Sequence, residues 1–441
     1  MPTVPCEATS SSRVARSATA RSFAAMVLVL AWSALQSLST GCAHRSSTVT
    51  ALALPDLAAR DAFGAAITCH PANHDVLLSW IAGDSTDFRL WFSRSSDRGA
   101  TWSVPVPVSP EGERLRLEPE SPPRIVCDDE HRVGVAWAAW SPSAGQATGF
   151  SDLRFARSTD DGRSWSEPTT VNDDGIGGPG DQAYQDIAFR LEEGGLFAAW
   201  LDSRPGSDHL RTADTDSTAA SVWFARSDDF GAHWGANAAE WSGACPNSRV
   251  SLAVAPSGEL IAAFRKQYPG LVRDVALARI GGPPMHLHDD GWRVKDSPPS
   301  GPAIRLSRDG TLRIAWYTGA PDLEGVWFRE SLPELMDSVS APLAVLRGRN
   351  LPTVHIGLSE AGMSGTLIAC DADSTGANRL TLVRVEPSGR AVRERFVVPG
   401  TEGASYPHVA AERVGSAAYV AWACRTGDHS QLRLLRWNAG R

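Results

Sequence analysis

One eight-residue pattern recurs three times in this chain and limits its folds more than any other feature. Ser95-Ser96-Asp97-Arg98-Gly99-Ala100-Thr101-Trp102 returns as Ser158-Thr159-Asp160-Asp161-Gly162-Arg163-Ser164-Trp165. It returns again as Ser227-Asp228-Asp229-Phe230-Gly231-Ala232-His233-Trp234. The copies stand 63 and 69 residues apart and share the skeleton Ser-x-Asp-x-Gly-x-x-Trp. Each follows a strand-like run: Leu90 to Arg94, Leu153 to Arg157 and Val222 to Arg226. Such a repeat marks a supersecondary unit that buries its apolar face only by stacking on its neighbours. The skeleton itself is structural. A short Asp side chain accepts backbone N–H groups two residues ahead and closes a turn. Gly takes a positive φ that other residues resist. Trp packs a large ring between sheets, which accounts for 16 Trp against five Tyr.

A fuller unit surrounds each copy: an apolar strand, a Gly or Asp turn, a strand ending in Trp, the patterned strand, and a short closing strand. Arg124-Ile125-Val126 followed by Val133 to Trp137 is one example; Asp186 to Phe189 followed by Leu196 to Trp200 is another. Ala303 to Leu306, Arg308-Asp309-Gly310, then Leu312 to Trp316 repeats the plan without the motif. Alternating apolar residues of this length read as strands, with no competing helical period. Seven units begin near Ala65, Arg124, Gln185, Arg249, Ala303, Thr353 and Tyr406. The last supplies only three strands, and Thr48 to Leu54 is placed to add a fourth.

The motif is the Asp box, and the chain resembles the sialidase-like, Asp-box (BNR repeat) β-propellers over nearly all of 48–438. The resemblance implies an all-β propeller of four-stranded blades, usually six; the seven starts favour seven. Asp97, Gly99, Trp102, Asp160, Gly162, Trp165, Asp229, Gly231 and Trp234 are then structural. In such a fold the Asp-box turns and the turns between strands one and two share a lower face. The loops between strands two and three and the inter-blade links share an upper face, where binding loops are expected.

Arg124, Asp202, Arg204, Arg249, Arg265, Arg273, Asp274 and Arg425 are expected near the upper mouth. Guanidinium groups hold carboxylates and sulfates bidentately, so Arg124, Arg204, Arg249, Arg265 and Arg273 are the candidate ligand-binding residues. Cys245-Pro246-Asn247-Ser248-Arg249, with Ala263-Phe264-Arg265 and Arg273-Asp274, resembles an exported bacterial branch of the family over about 245–320. That branch usually reads Cys-Pro-Cys-Cys-Arg, so Asn247 and Ser248 remove the thiols of any metal or redox site. A sialidase would further need three arginines on the sugar carboxylate, a Tyr–Glu nucleophile pair and an Asp acid/base. The resemblance offers Tyr406, with Asp202 or Asp274, for those roles. Against it, Pro123-Arg124-Ile125-Val126 follows the first box and lacks the proline of the usual Arg-Ile-Pro motif. Pro407 and His408 also replace the usual serine context after Tyr406. The expectation is an envelope propeller binding a glycan or protein ligand at its upper face, with an exo-glycosidase of sialidase type acting on acidic glycans as the alternative.

The N-terminus reads separately. Arg13, Arg16 and Arg21 precede an apolar run from Phe23 to Leu35, then Leu38, Ser39, Thr40, Gly41 and Cys42. A basic region, a short apolar core and small residues describe a secretory signal, too short to span a bilayer comfortably. The small residues before Cys42 resemble a bacterial lipobox, with Leu38 four places before the cysteine rather than three. The expected organisation is a signal at 1–41, a linker able to supply a ring-closing strand at 42–60, and the propeller at 61–441. Export, a lipid on Cys42 and a membrane-tethered place in the bacterial envelope follow from this reading. Forty-two basic against 50 acidic residues, without a basic cluster, give no footprint for nucleic acid. Cys69, Cys127, Cys245, Cys370 and Cys424 follow Cys42; being odd in number, they leave at least one thiol without an internal partner. No C-x-x-C spacing exists, and His286 and His288 read as loop residues, so neither a metal nor a cofactor is expected.

Overall fold

The computed structural model describes residues 46–440, apart from 59–60, 85–86, 142–149, 191–193, 205–218, 334–339, 349–350, 414 and 428. Residues 1–41 and Cys42 lie outside the described residues. Among those described, the strands form seven four-stranded antiparallel units, two of them joined by a single bridge between Ala244 and Lys266. The first strands are Ala62–Cys69, Arg124–Cys127, Gln182–Arg190, Ser251–Val254, Ala303–Leu306, Ile356–Glu360 and Ala404–Ala411. Each touches the first strand before and after it, and Ala404–Ala411 touches Ala62–Cys69. The units therefore close a ring: the chain is a β-propeller, its units numbered below as blades 1 to 7. Short 3-10 turns occur at Pro269–Leu271 and Gly362–Ser364.

Thr48–Ala51 supplies the outer strand of blade 7, pairing antiparallel with His429–Asn438 from Thr48 opposite Asn438 to Ala51 opposite Leu435. Blade 7 thus takes its first three strands from the end of the chain and its fourth from the beginning.

The core is divided among the seams between blades. Leu90 and Phe92 of blade 1 meet Val135 and Trp137 of blade 2, and the same arrangement recurs around the ring. Trp80, Trp137, Trp200 and Trp316 sit at matching places on second strands, each 1% exposed or less. At roughly 25 cal/mol per Å² of apolar area removed from water, such rings dominate seam stability.

The repeated turns follow the Ser-x-Asp-x-Gly-x-x-Trp logic with one difference. The Ser hydroxyl accepts the Gly N–H: Ser95 from Gly99 at 2.7 Å, Ser158 from Gly162 and Ser227 from Gly231 at 2.8 Å. The Asp carboxylate reaches four residues ahead rather than two, taking the N–H of Thr101 (2.8 Å), Ser164 (2.9 Å) and His233 (2.9 Å). The Thr101 hydroxyl and then its N–H hold the Asp97 carboxyl down at about 2; burial opposes the shift in Asp229, but the His233 N–H and ring hold it at about 2 as well. Gly162 has φ +82°, and a Cβ there would stand 2.0 Å from the Phe92 ring of the preceding blade. Trp165 then meets Phe92 edge-on, 5.2 Å between centroids, and Trp234 meets Phe155 the same way at 5.4 Å.

Register separates the two faces. The beginning of each first strand pairs with the end of the second, as in Gln182 with Asp202 and Ala404 with Cys424. The repeated turns follow the opposite ends, where Val76 pairs with Ser95. His131, in the turn between strands one and two of blade 2, contacts Asp161 of the repeated turn at 3.0 Å, so these turns share the lower face.

Candidate upper-mouth site

The first strands of blades 1, 3 and 7 carry the same irregularity. Each shifts register by a bulge near its upper end, between Phe63 and Ala66, Ala183 and Asp186, and Ser405 and His408. The bulge places one residue in left-handed backbone: Gly64 at φ +59°, Tyr184 at +58° and Tyr406 at +50°. Glycine takes that conformation freely, whereas a bulky residue pays for it. Blade 1 uses glycine; blades 3 and 7 hold tyrosine in strained backbone at the upper rim. Such strain is kept where surrounding structure enforces it, and it concentrates at ligand clamps and active sites.

What enforces it around Tyr406 is a compact polar network. Asp371 accepts the His355 backbone N–H at 2.8 Å, the His355 Nδ1–H at 2.6 Å and the Tyr406 backbone N–H at 3.2 Å. The His355 ring donates from Nε2 to Pro299 O at 2.9 Å and lies against the Tyr406 ring, 3.8 Å between centroids. With both ring nitrogens donating, His355 is held as a cation. Burial opposes that charge, but Asp371 and then Glu120 outweigh it and raise its pKa above the ordinary histidine value. Glu120 is buried; it pairs with Arg249 at 2.8 Å and accepts the Gly301 N–H at 2.9 Å. Burial, then the charges of Glu120 and Asp371, push the Tyr406 phenol up, so it remains protonated at neutral pH. Among the described residues nothing bonds its hydroxyl.

Tyr184 sits in a second network. Its hydroxyl donates to Glu118, it lies 3.4 Å from Asn247 Oδ1, and the Arg116 guanidinium stands over its ring at 5.3 Å. Arg116 also pairs with Glu118 and Asp181. The Tyr184 backbone N–H donates to Ser121 Oγ at 3.1 Å.

The candidates expected from the sequence divide sharply. Tyr406 and Arg249 come together at the mouth, though the second Arg249 arm donates to Ile356 O at 2.6 Å rather than reaching outward. Arg124 lies deeper, on the axis, 3.4 Å from Asp186. The other six are not gathered there. Arg265, 1% exposed, spends its N–H groups on the carbonyls of Ser300, Arg273 and Tyr317. Arg273 is 2% exposed and directs its guanidinium to the carbonyls of Val272 and Lys295. Asp274 is enclosed, accepting the N–H groups of Gly291 and Trp292 at 2.9 and 3.0 Å. Asp202 takes the Trp200 indole N–H and the Arg204 guanidinium, both at 2.8 Å, and Arg204 also reaches Asp173. Arg425 bonds Gly427 O and stays exposed. Apart from the exposed Arg425, these charges are engaged by partners inside the protein. His286, read as a loop residue, instead ends the short strand Met285–His286 and lies tilted against Tyr268, 3.6 Å between centroids; its ligand atom and those of Asp274 and Asp289 lie within 4.8 Å of one another. The Asp274 oxygens already serve two backbone N–H groups there. All five described cysteines are free thiols.

Sequence reasoning missed Tyr184, Glu118, Glu120, His355 and Asp371 as site residues. A signal was present for the first: aligned on their bulges, Phe63-Gly64-Ala65, Ala183-Tyr184-Gln185 and Ser405-Tyr406-Pro407 set a glycine against two tyrosines. For the acids and the histidine, no local pattern marks the place.

The fold and its rim thus define a β-propeller with a strained, aromatic upper mouth. The BP39L lectin from Burkholderia pseudomallei is similar, with TM-score 0.55 and 12% identity over 87% of this chain and 99% of the lectin. A polysaccharide lyase, an ulvan lyase bound to a glucuronate–sulfated rhamnose unit, aligns with TM-score 0.52 and 10% identity over 88% and 94%. The α-L-arabinanase of Penicillium chrysogenum, complexed with arabinobiose, aligns with TM-score 0.50 and 14% identity over 89% and 99%. At these identities the likeness is one of fold. No family model and no curated protein matches the sequence.

Proposed function

We propose that the upper mouth binds a glycan, with Tyr406 and Tyr184 as its aromatic contacts. The observation that carries this reading is the pair of tyrosines held in left-handed backbone where blade 1 uses glycine. Binding sites combine aromatic walls with a few placed polar groups, and the Tyr406 hydroxyl, Glu118 and Asn247 supply polar groups beside the rings. The similar structures named as a lectin and as glycan-active enzymes agree with a carbohydrate ligand. Glycan-array binding by the purified chain, followed by titration of a hit, tests it. Tyr406→Ala is expected to weaken binding at least about tenfold, or 1.4 kcal/mol. An unchanged affinity in both Tyr406→Ala and Tyr184→Ala overturns it.

Hydrolysis of sialidase type is the second reading, favoured by the closeness of Tyr406 to Glu120 and Arg249 alone. Binding is preferred because a raised phenol pKa suits a hydrogen-bond donor, not a nucleophile, and because Arg265 and Arg273 are engaged elsewhere. Turnover of a fluorogenic sialoside, lost in Tyr406→Phe, would reverse the order. The same proposal includes export behind residues 1–41 and tethering to the bacterial envelope through a lipid on Cys42.

A further inference from the structure

Beneath the mouth, the first strands enclose a cavity of about 360 Å³ on the ring axis. Its wall includes Arg124 of blade 2, Asp186 of blade 3, Arg305 of blade 5 and His408 of blade 7. Towards the mouth it narrows to a waist of about 30 Å³ beside Arg249 and Ile356. In the other direction, Arg305, Leu306 and Ser359 also line a recess of about 780 Å³ around Arg308, Asp309 and Glu412. The cavity is therefore reached from the lower face, apart from the proposed glycan site.

Its polar groups are unbalanced. Asp186 is the one carboxylate on the wall, and its oxygens already accept the N–H groups of Ile187 (3.0 Å) and Leu252 (2.8 Å). Arg124 donates to Gln185 O at 3.2 Å and stands 3.4 Å from Asp186. Arg305 is half-buried, and among the described residues neither a carboxylate nor a carbonyl bonds its guanidinium. His408 Nδ1 accepts the Ile67 N–H at 3.2 Å, which leaves the ring proton on Nε2. Burial and then the charges of Arg124, Arg305 and Arg249 keep that imidazole neutral, driving its pKa well below the usual value. Burial and the neighbouring guanidiniums also draw Arg124 down to about 10, against the pull of Asp186. Two cations and an imidazole N–H thus face one small space as donors.

We propose that this cavity binds a small tetrahedral oxyanion of the sulfate or phosphate class, held by Arg305, Arg124 and the His408 Nε2–H. Guanidinium groups match such oxygens bidentately. Since one water claims roughly 30 Å³, the space takes an oxyanion together with ordered water. The anion would relieve the repulsion between Arg124 and Arg305 and tie blades 2, 5 and 7 across the axis.

The test is titration of the full chain with inorganic phosphate and with sulfate, at ionic strength fixed by chloride. Calorimetry and thermal unfolding are the readouts. A saturable heat and a rising midpoint are expected for both oxyanions and not for chloride. Arg305→Gln should weaken phosphate at least about tenfold, the loss of one charge-assisted partner, while Arg305→Lys retains part of the affinity. Arg308→Gln, exposed on the lower recess, should leave binding unchanged. Absence of saturable binding to the wild type at millimolar phosphate overturns the proposal, whether or not the variants fold. Full affinity in Arg305→Gln overturns it equally. Glycan binding at the mouth is a separate measurement, so either reading can fail alone.

Discussion

Asp371 serves both His355 and Tyr406, so the charge state of one imidazole governs the platform under the aromatic rim. The folded pKa of His355 is raised above the unfolded value of about 6.5. Its contribution to stability is therefore complete below about pH 6.5 and is lost as pH rises through the folded value. Thermal unfolding of wild type and His355→Gln should differ most near pH 6 and converge towards pH 9. His408 has the opposite sign: its depressed folded value leaves its contribution intact above about pH 6.5 and erodes it as the solution acidifies. His408→Gln should accordingly flatten the acid limb of the same profile. Little at this scale was legible in the sequence. Arg265 and Arg249 look alike in the chain, yet one is spent on three carbonyls and the other pairs with Glu120, 129 residues away. Which charges are consumed internally depends on contacts between blades, and local spacing carries no trace of them.

Elements were far easier to read, because each strand and turn states its own chemistry. First strands begin within three residues of the expected starts, and the three repeated turns have the Ser, Asp, Gly and Trp roles that their skeleton demands. The reach of the carboxylate to the fourth residue, rather than the second, was missed because the Ser hydroxyl had not been counted as a partner for the Gly N–H. The bulges were missed too, since they follow from pairing rather than from residue type. Gly162→Ala tests the turn. Left-handed backbone costs an L-residue about 1–2 kcal/mol, and overpacking against Phe92 adds about 1–3 kcal/mol. A loss of about 3 kcal/mol is expected by denaturant unfolding, and a loss under 1 kcal/mol would contradict the close approach of Gly162 to Phe92.

For the molecule as a whole, the seven starts and the three-stranded last unit already pointed to a ring needing an extra strand. That strand is Thr48–Ala51, against His429–Asn438. Removing residues 46–54 should lower stability by about 2–4 kcal/mol, from four ladder positions at about 0.5–1 kcal/mol each. It should also expose an edge prone to self-association, read by denaturant unfolding and light scattering; an unaltered midpoint would contradict the closure. If the proposed lipid on Cys42 tethers the protein, Cys42→Ala is expected to release it from the membrane fraction.

That seam also sets an order of events. Thr48 is among the first residues of the propeller to be made, and its partner Asn438 is among the last. Each intermediate blade can form from neighbouring sequence, whereas the final seam waits for both ends of the chain, a long-range closure that is slow by nature. A chain stalled or clipped before Asn438 cannot lock. The first strand is thus a built-in check of completeness, giving intact molecules a closed ring and leaving truncated ones with an open edge for proteases to find.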